Sequence, residues 1–315
     1  MISLALKLDA GVSLPGEPPL QIAAELWAPE KIPAKPVVLC CLTGGNMNHR
    51  YFNLRPDDGD ESYSFAAQMT QRGFVVFALD YLGQGGSSKP ADGHALTPAL
   101  LTQANVHVTK QVLERLRAGT LDPKLPAMPT LASIGVGHSM GAMMTVLLQD
   151  AAHLHRAVAL LGFSTRGLPN FTPPEVRAMP QAEQRARMVE YAKKMFPQPY
   201  PVIKSSGNGN EMFASNKAEP KGIAALKAAT DCLLPVPAFM SMLPNNVGPE
   251  AAKIDVPVYL GLGERDMAGD PQEIPPAFPG SPKVTLDLYT GAGHSHFLFA
   301  SRTELFERLS AWASA

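Results

Sequence analysis

The residues best suited to chemistry stand five in a row, Gly137-His138-Ser139-Met140-Gly141. An apolar run, Thr130–Val136, precedes them, and a segment of helical composition, Ala142–Ala151, follows. A serine between two glycines at a strand-to-helix junction fits a tight, strained turn, because a side chain at either glycine would collide with the strand or the helix. Such a turn presents the Ser139 hydroxyl at the start of the helix, where backbone donors and the helix dipole favour developing negative charge. The competing reading is a glycine-rich loop that binds phosphate. Gly135-Val136-Gly137-His138-Ser139-Met140 fails that pattern, with Met140 in the place of the third glycine, and no Walker sequence is present.

A serine hydroxyl is a poor nucleophile at neutral pH and needs a base that is itself held by a carboxylate. Both partners are expected from turns at the same sheet edge, after later strands. Val258-Tyr259-Leu260-Gly261-Leu262 runs into Gly263-Glu264-Arg265-Asp266, and Val284–Leu288 runs into Tyr289-Thr290-Gly291-Ala292-Gly293-His294. Asp266 is therefore the expected acid and His294, on its glycine-rich turn, the expected base, in the chain order Ser, Asp, His. His296 competes as base. Glu264 and Asp270 compete as acid, although Glu264 reads as a surface carboxylate and Asp270 lies further from the strand end. His294-Ser295-His296 lacks a second His and carboxylate cluster at ligand spacing, so no metal is expected. His138 is expected to point away from Ser139. His153 and His155, after a helix end, read as structural, and His49 is a candidate for the rim of the site.

The elements that must position these residues follow from hydrophobic patterning. Leu20–Trp27, Val37–Leu42, Phe74–Leu79, Thr130–Val136, Ala157–Gly162, Val256–Leu262 and Val284–Leu288 read as strands. The middle ones are continuously apolar, as parallel strands covered on both faces are. Ser62–Arg72, Thr97–Leu116 and Ser139–Ala151 read as helices between them. The alternation predicts an α/β fold, a mostly parallel central sheet with helices on both faces and right-handed crossovers. The first strand is expected to pair antiparallel. From Ser164 to Lys253 no convincing strand occurs; Pro173–Phe196 and Lys221–Leu233 read as helices. An insertion of that length is rarely a simple connection. Residues 1–163 and 254–315 are thus expected to form the core domain, and residues 164–253 a helical cap over the strand ends.

Composition bounds the rest. The chain has 315 residues, 45% hydrophobic and 17% charged, with 27 basic and 28 acidic side chains. A near-neutral chain without a basic run offers no electrostatic footprint for nucleic acid or an anionic membrane. No window approaches the roughly 18 uninterrupted apolar residues of a membrane span. Met1–Gly11 carries Lys7 and Asp9 and no signal-peptide core, and Cys40, Cys41 and Cys232 cannot build a disulfide framework. A cytoplasmic setting with buried, inert thiols is expected.

In these motifs and their order the chain resembles the α/β-hydrolase fold family, in its lidded serine-hydrolase branch. Val37–Asn46, Phe74–Ser88, Gly137–Gly141, Val256–Asp266 and Gly291–His294 all fall in the family's order, and Asp80-Tyr81-Leu82-Gly83-Gln84-Gly85-Gly86-Ser87 resembles its D-x-x-G-x-G-x-S turn. The resemblance implies an oxyanion hole of two backbone N–H groups, one from Met140 and one from the loop after the third strand. Relatives often read H-G-x there; this chain reads Thr43-Gly44-Gly45-Asn46, so Gly45 is the best match and Asn46 the second. Serine at the turn, rather than the aspartate of relatives that open epoxides or displace halide, implies acyl transfer without a cofactor. The expected substrate is a largely apolar small-molecule ester or lactone, held by Asn46, Met47, Tyr81, Met140 and the cap, whose methionines Met212, Met240 and Met242 suit an adaptable pocket. C–C bond hydrolysis, acyl transfer to an alcohol and cyanohydrin cleavage remain alternatives on the same three residues. A non-catalytic small-molecule receptor is a further one, and no oligomeric state is implied.

Overall fold

The computed structural model describes residues 1–203 and 217–315. Eight strands form one sheet: β1 Ile2–Asp9, β2 Gln21–Ala28, β3 Val37–Leu42, β4 Val75–Leu79, β5 Ala132–His138, β6 Ala157–Leu161, β7 Val258–Gly263 and β8 Val284–Tyr289. Their spatial order is β1-β2-β4-β3-β5-β6-β7-β8. β2 runs antiparallel to both β1 and β4, while every other neighbouring pair is parallel. β4, β6 and β7 are buried along their whole length, which is why their sequences are apolar without alternation. β1 was not among the expected strands. Its Leu4 and Leu8 are buried while Ser3, Lys7 and Asp9 are exposed, a period of two that fits an edge strand with one wet face.

Alternate residues of β3 feed two cores. Val38, Cys40 and Leu42 pack with α2 (Pro98–Ala118) and α3 (Met140–Ala152) on one face. Leu39 and Cys41 pack with α1 (Phe65–Gln71) and the helix Arg302–Ser314 on the other. α2 starts where the Thr97 side chain accepts the Leu100 N–H, has Pro98 in its first turn, and stops at Gly119 with φ 69°. All three cysteines are free and buried, and burial pushes the Cys40 thiol up to about 12. Among the described residues no helix is long and apolar enough to cross a membrane.

Between β6 and β7 the described chain is helical in short pieces. The expected helix over Pro173–Phe196 is three: Pro174–Arg177, Gln181–Ala186 and Met188–Met195. Pro180 interrupts the first junction, since it has no N–H to continue a helix. The expected helix Lys221–Leu233 spans Pro220–Ala229 instead, and Thr230 leaves it to form an isolated antiparallel bridge with Met47. Two further helices, Pro235–Met242 and Gly248–Ala251, were not anticipated. Val176, Tyr191, Val236, Phe239 and Leu243 give this segment a small core of its own. Met212 lies outside the described residues.

One partly buried ion cluster pins the sheet to the loop after β3. His49 donates its backbone N–H to Asp80 Oδ1 at 2.7 Å, and its Nδ1 lies 2.9 Å from the same oxygen. Its Nε2 lies 3.3 Å from Glu25 Oε2. Burial alone would lower the imidazole pKa, but the hydrogen bonds to Asp80 and Glu25 outweigh it and push the value up to about 9. His49 is thus a structural cation and does not line the cavity described below. A group whose pKa rises on folding adds stability that is complete below its unfolded value and fades as pH climbs through its folded one. The melting-temperature deficit of His49→Gln is therefore expected to be largest near pH 6, to shrink steadily as pH rises from there to about 9, and to have lost its pH-dependent part above that. A deficit constant from pH 6 to 10, read by thermal unfolding, would contradict this.

Candidate active site

Ser139 sits between β5 and α3 with φ 58° and ψ −123°, a backbone region that suits glycine far better than any L side chain. Its N–H donates to Leu161 O at 2.8 Å, which ties the turn to β6. The flanking glycines are demanded by space: a Cβ on Gly137 would lie 2.4 Å from Ala142 Cα, and one on Gly141 would lie 2.1 Å from Leu42 O. The Ser139 side chain makes no cap bond to its own helix. Its Oγ lies 2.7 Å from His294 Nε2, and His294 Nδ1 lies 2.7 Å from Asp266 Oδ1.

The structure thus brings together the three residues expected from the sequence, each from the carboxyl end of a parallel strand. The His294 and Asp266 side chains are 4% and 2% exposed, so this relay lies out of bulk water. Burial by itself would raise the Asp266 pKa, but the charge and hydrogen bond of His294, together with His296, hold the carboxyl well below the usual carboxylate range. His296 stands on the other carboxylate oxygen, with Nε2 at 3.3 Å from Asp266 Oδ2 but out of hydrogen-bond alignment. It is a second imidazole on the acid and is not the one at Ser139. Glu264 accepts the Gly291 N–H at 2.7 Å and so braces the turn that carries His294. Asp270 accepts the Gln272 N–H in an exposed turn.

Two features of this centre escaped sequence reasoning. Gly162 follows β6 with φ 62°, and a Cβ there would lie 2.9 Å from His294 Cε1. A bare glycine at the end of an apolar strand signals such a close approach. His138 lies beside the relay, and its Nε2–H donates to the His294 carbonyl at 2.8 Å. Burial, then the nearby His294 and His296, lower its pKa well below the ordinary value, so it is a neutral donor. Its ring stacks on Tyr51 with centroids 4.6 Å apart.

The loop after β3 folds onto the turn. Met47 N–H donates to Gly44 O at 3.3 Å and Thr43 Oγ1 to Met47 O at 2.9 Å. A Cβ on Gly44 would sit 3.5 Å from Ser139 Cβ, and one on Gly45 would sit 3.5 Å from Met140 Sδ. Gly45 and Met140, the expected oxyanion donors, are therefore neighbours, and the Met140 N–H opens α3 without an intrahelical acceptor. Asn46 and Met47 line a cavity of about 430 Å³ in front of Ser139, shared with Leu168, Phe196, Leu233 and Met242 from the segment between β6 and β7. No Asp, Glu, Lys or Arg is among its described lining residues. Tyr81 is not at this cavity: it is fully buried, and its hydroxyl donates to Thr43 O at 3.3 Å. A smaller recess of about 50 Å³ opens beside Ser139 between Gly162, Ser164 and Asn246. No group of three or more potential metal ligands occurs among the described residues.

A sequence model of the alpha/beta hydrolase family matches residues 37–308. No curated protein matches the chain. Among solved structures, a monoacylglycerol lipase from Paleococcus ferrophilus is similar with TM-score 0.62 and 18% identity, covering 93% of this chain and 98% of that one. An esterase from Exiguobacterium antarcticum has TM-score 0.61 and 17% identity over 94% and 97% of the two chains. A bromoperoxidase from Bacillus anthracis has TM-score 0.61 and 16% identity over 99% of each. At such identities the likeness is one of fold.

Strain at Ser139 has a measurable consequence. Removing the hydroxyl while keeping Cβ leaves the unfavourable φ in place, whereas glycine relieves it. Ser139→Gly is expected to be more stable than Ser139→Ala by about 1–2 kcal/mol in urea unfolding. Equal midpoints for the two variants would show that the turn stores no such strain.

Proposed function

Because the chain belongs to the α/β-hydrolase family, we propose that it is a serine hydrolase that cleaves a carboxylic ester or lactone of a largely apolar small molecule. The observation that carries this reading is the unbroken relay from Asp266 through His294 to Ser139, with 2.7 Å at each step, opening onto an apolar cavity. Ser139 Oγ attacks the carbonyl carbon while His294 Nε2 takes its proton. The resulting oxyanion accepts from the Met140 N–H and from the Gly45 N–H, with Asn46 the alternative second donor. Each such donor is worth about 2.7–4 kcal/mol in the transition state. His294 then protonates the departing alcohol, leaving an acyl-enzyme, and the same base activates water to release the acid.

Asp266 orients His294 and stabilises its cationic form, and its depressed pKa keeps it ionised for this throughout the neutral range. His138 and Glu264 act behind the relay, one on the His294 carbonyl and one on the turn that carries it. Residues 164–253 act as the cap, since Leu168, Phe196, Leu233 and Met242 face the cavity from that segment. The unequal spaces beside Ser139, about 430 Å³ and about 50 Å³, favour a substrate with one bulky apolar group and one small group on the scissile bond. Burying extra methylenes in the larger space adds about 0.8 kcal/mol each until it is full.

The test is steady-state and burst kinetics on an acyl-ester series of increasing apolar length. kcat/KM is expected to rise with length and then level off, and a negatively charged side group on the ester is expected to suppress it. Ser139→Ala and His294→Gln should each lose about 10³-fold or more of kcat, and Asp266→Asn a similar factor. A panel-wide absence of turnover, or turnover that survives Ser139→Ala, would reject the reading. Cleavage of a C–C bond without an accumulating acyl-enzyme would transfer the same residues to a different reaction.

A further inference from the structure

The loop that packs on the Ser139 turn contains two consecutive glycines, Gly44 and Gly45, so its own backbone has wide conformational freedom. Something outside the loop must remove that freedom before its N–H groups can be aimed. The Gly44 carbonyl is taken by the Met47 N–H. The Gly45 carbonyl is taken by a side chain from another turn: Gln84 Nε2 donates to Gly45 O at 2.8 Å and to Cys232 O at 2.6 Å. Gln84 is 2% exposed and lies between Gly83 and Gly85, both at positive φ, in the turn that follows β4. Both of its acceptors are carbonyl oxygens, which can only accept, so chemistry alone places the amide nitrogen toward them. Its Oε1 has no hydrogen-bond partner among the described residues.

We propose that Gln84 is a positioning residue for the reaction at Ser139, fixing the plane of the Gly45–Asn46 peptide by holding its carbonyl and tying that peptide to residues 229–232. A trans peptide is planar, so pinning the carbonyl on one side directs the N–H of Asn46, the alternative donor, to the other and anchors Gly45, whose own N–H is the first choice, by fixing its ψ. The tie is reinforced by backbone pairing: Asp231 N–H donates to Asn46 O at 2.8 Å and Asn48 N–H donates to Ala229 O at 2.9 Å. The Asp231 carboxylate in turn accepts from the Gly85 N–H at 2.8 Å, which closes a loop back to the turn that carries Gln84. The oxyanion-side loop is therefore held between the turn after β4 and the segment between β6 and β7. Gln84 contacts both. It touches no reacting atom, and the inference rests on the serine chemistry proposed above.

Gln84→Met keeps the volume and removes both donors. Its kcat is expected to fall about 10- to 100-fold, with KM changed by less than about threefold, since misaimed oxyanion donors weaken the transition state more than the ground state. Affinity for a boronic acid, which mimics the tetrahedral oxyanion, should fall by the same factor as kcat/KM. Wild-type kcat, or a change confined to KM, would overturn the proposal while leaving the serine reading intact. If the wild-type protein itself turns over no ester, that reading fails, and amide hydrogen exchange decides on Gln84: exchange over Gly44–Asn48 should quicken in Gln84→Met, and unchanged exchange would overturn it. If the variant does not fold, the wild-type protein serves. Slow exchange of the Gln84 Nε2 protons by NMR is expected, and exchange at the free-solvent rate would overturn the proposal.

Discussion

The site depends on a carboxylate that has been taken out of water. An isolated buried carboxylate would be neutralised, because desolvation opposes its charged form. Asp266 stays far on the ionised side because two imidazoles approach its two oxygens and the Ala268 N–H adds a further donor at 3.2 Å. The neighbouring backbone is shaped to this cluster. Gly162 leaves room for the His294 ring, and Gly263, where a Cβ would lie 2.4 Å from Ala292 O, lets the two strand-end turns meet. The charge on Asp266 then fixes the His294 tautomer, with Nδ1–H toward the carboxylate and Nε2 left to accept from the Ser139 hydroxyl.

Around that charge the centre is assembled from turns that are far apart in sequence and held by single well-placed hydrogen bonds. Leu161 holds the Ser139 turn, His138 holds the His294 backbone and Glu264 holds the Gly291 turn. The sheet sets the strand ends side by side, and these bonds convert that coarse placement into contacts of 2.7 Å. A further layer, with His49 between Asp80 and Glu25, fixes the start of the helical turn after the β3 loop. The described residues between β6 and β7 that line the cavity, among them Leu168, Phe196, Leu233 and Met242, give it an apolar wall and carry no charged side chain.

Much of this was legible in the sequence, and the boundary has physical causes. The Ser139 turn, Asp266 and His294 could be read because strand-end turns announce themselves with glycines after apolar runs. The central parallel strands β3, β4, β6 and β7 could be read because burial leaves no charged residue in them. β1 was overlooked although Leu4, Leu6 and Leu8 alternate with polar and small residues, the one-sided pattern of an antiparallel edge. Tyr81 was expected at the pocket from its place beside the β4 turn, but chain position does not give side-chain direction, and its ring points into the core. His49 was considered for the rim and is instead a structural cation, because its partners Glu25 and Asp80 are brought to it only by the sheet. The helices after Gly162 were misjudged wherever proline or an extended residue such as Thr230 cut a run that composition alone would continue. Gln84 carried no signal, since its acceptors are backbone atoms 39 and 148 residues away.

The central claim is that Asp266 and His294 make Ser139 a nucleophile, and covalent trapping addresses it most directly. Intact-protein mass spectrometry after brief exposure to a fluorophosphonate should show one adduct, mapped to Ser139, formed rapidly in the wild-type protein and far more slowly in His294→Gln. A folded wild-type protein that stays unlabelled, or one labelled at the same rate without His294, would contradict the account.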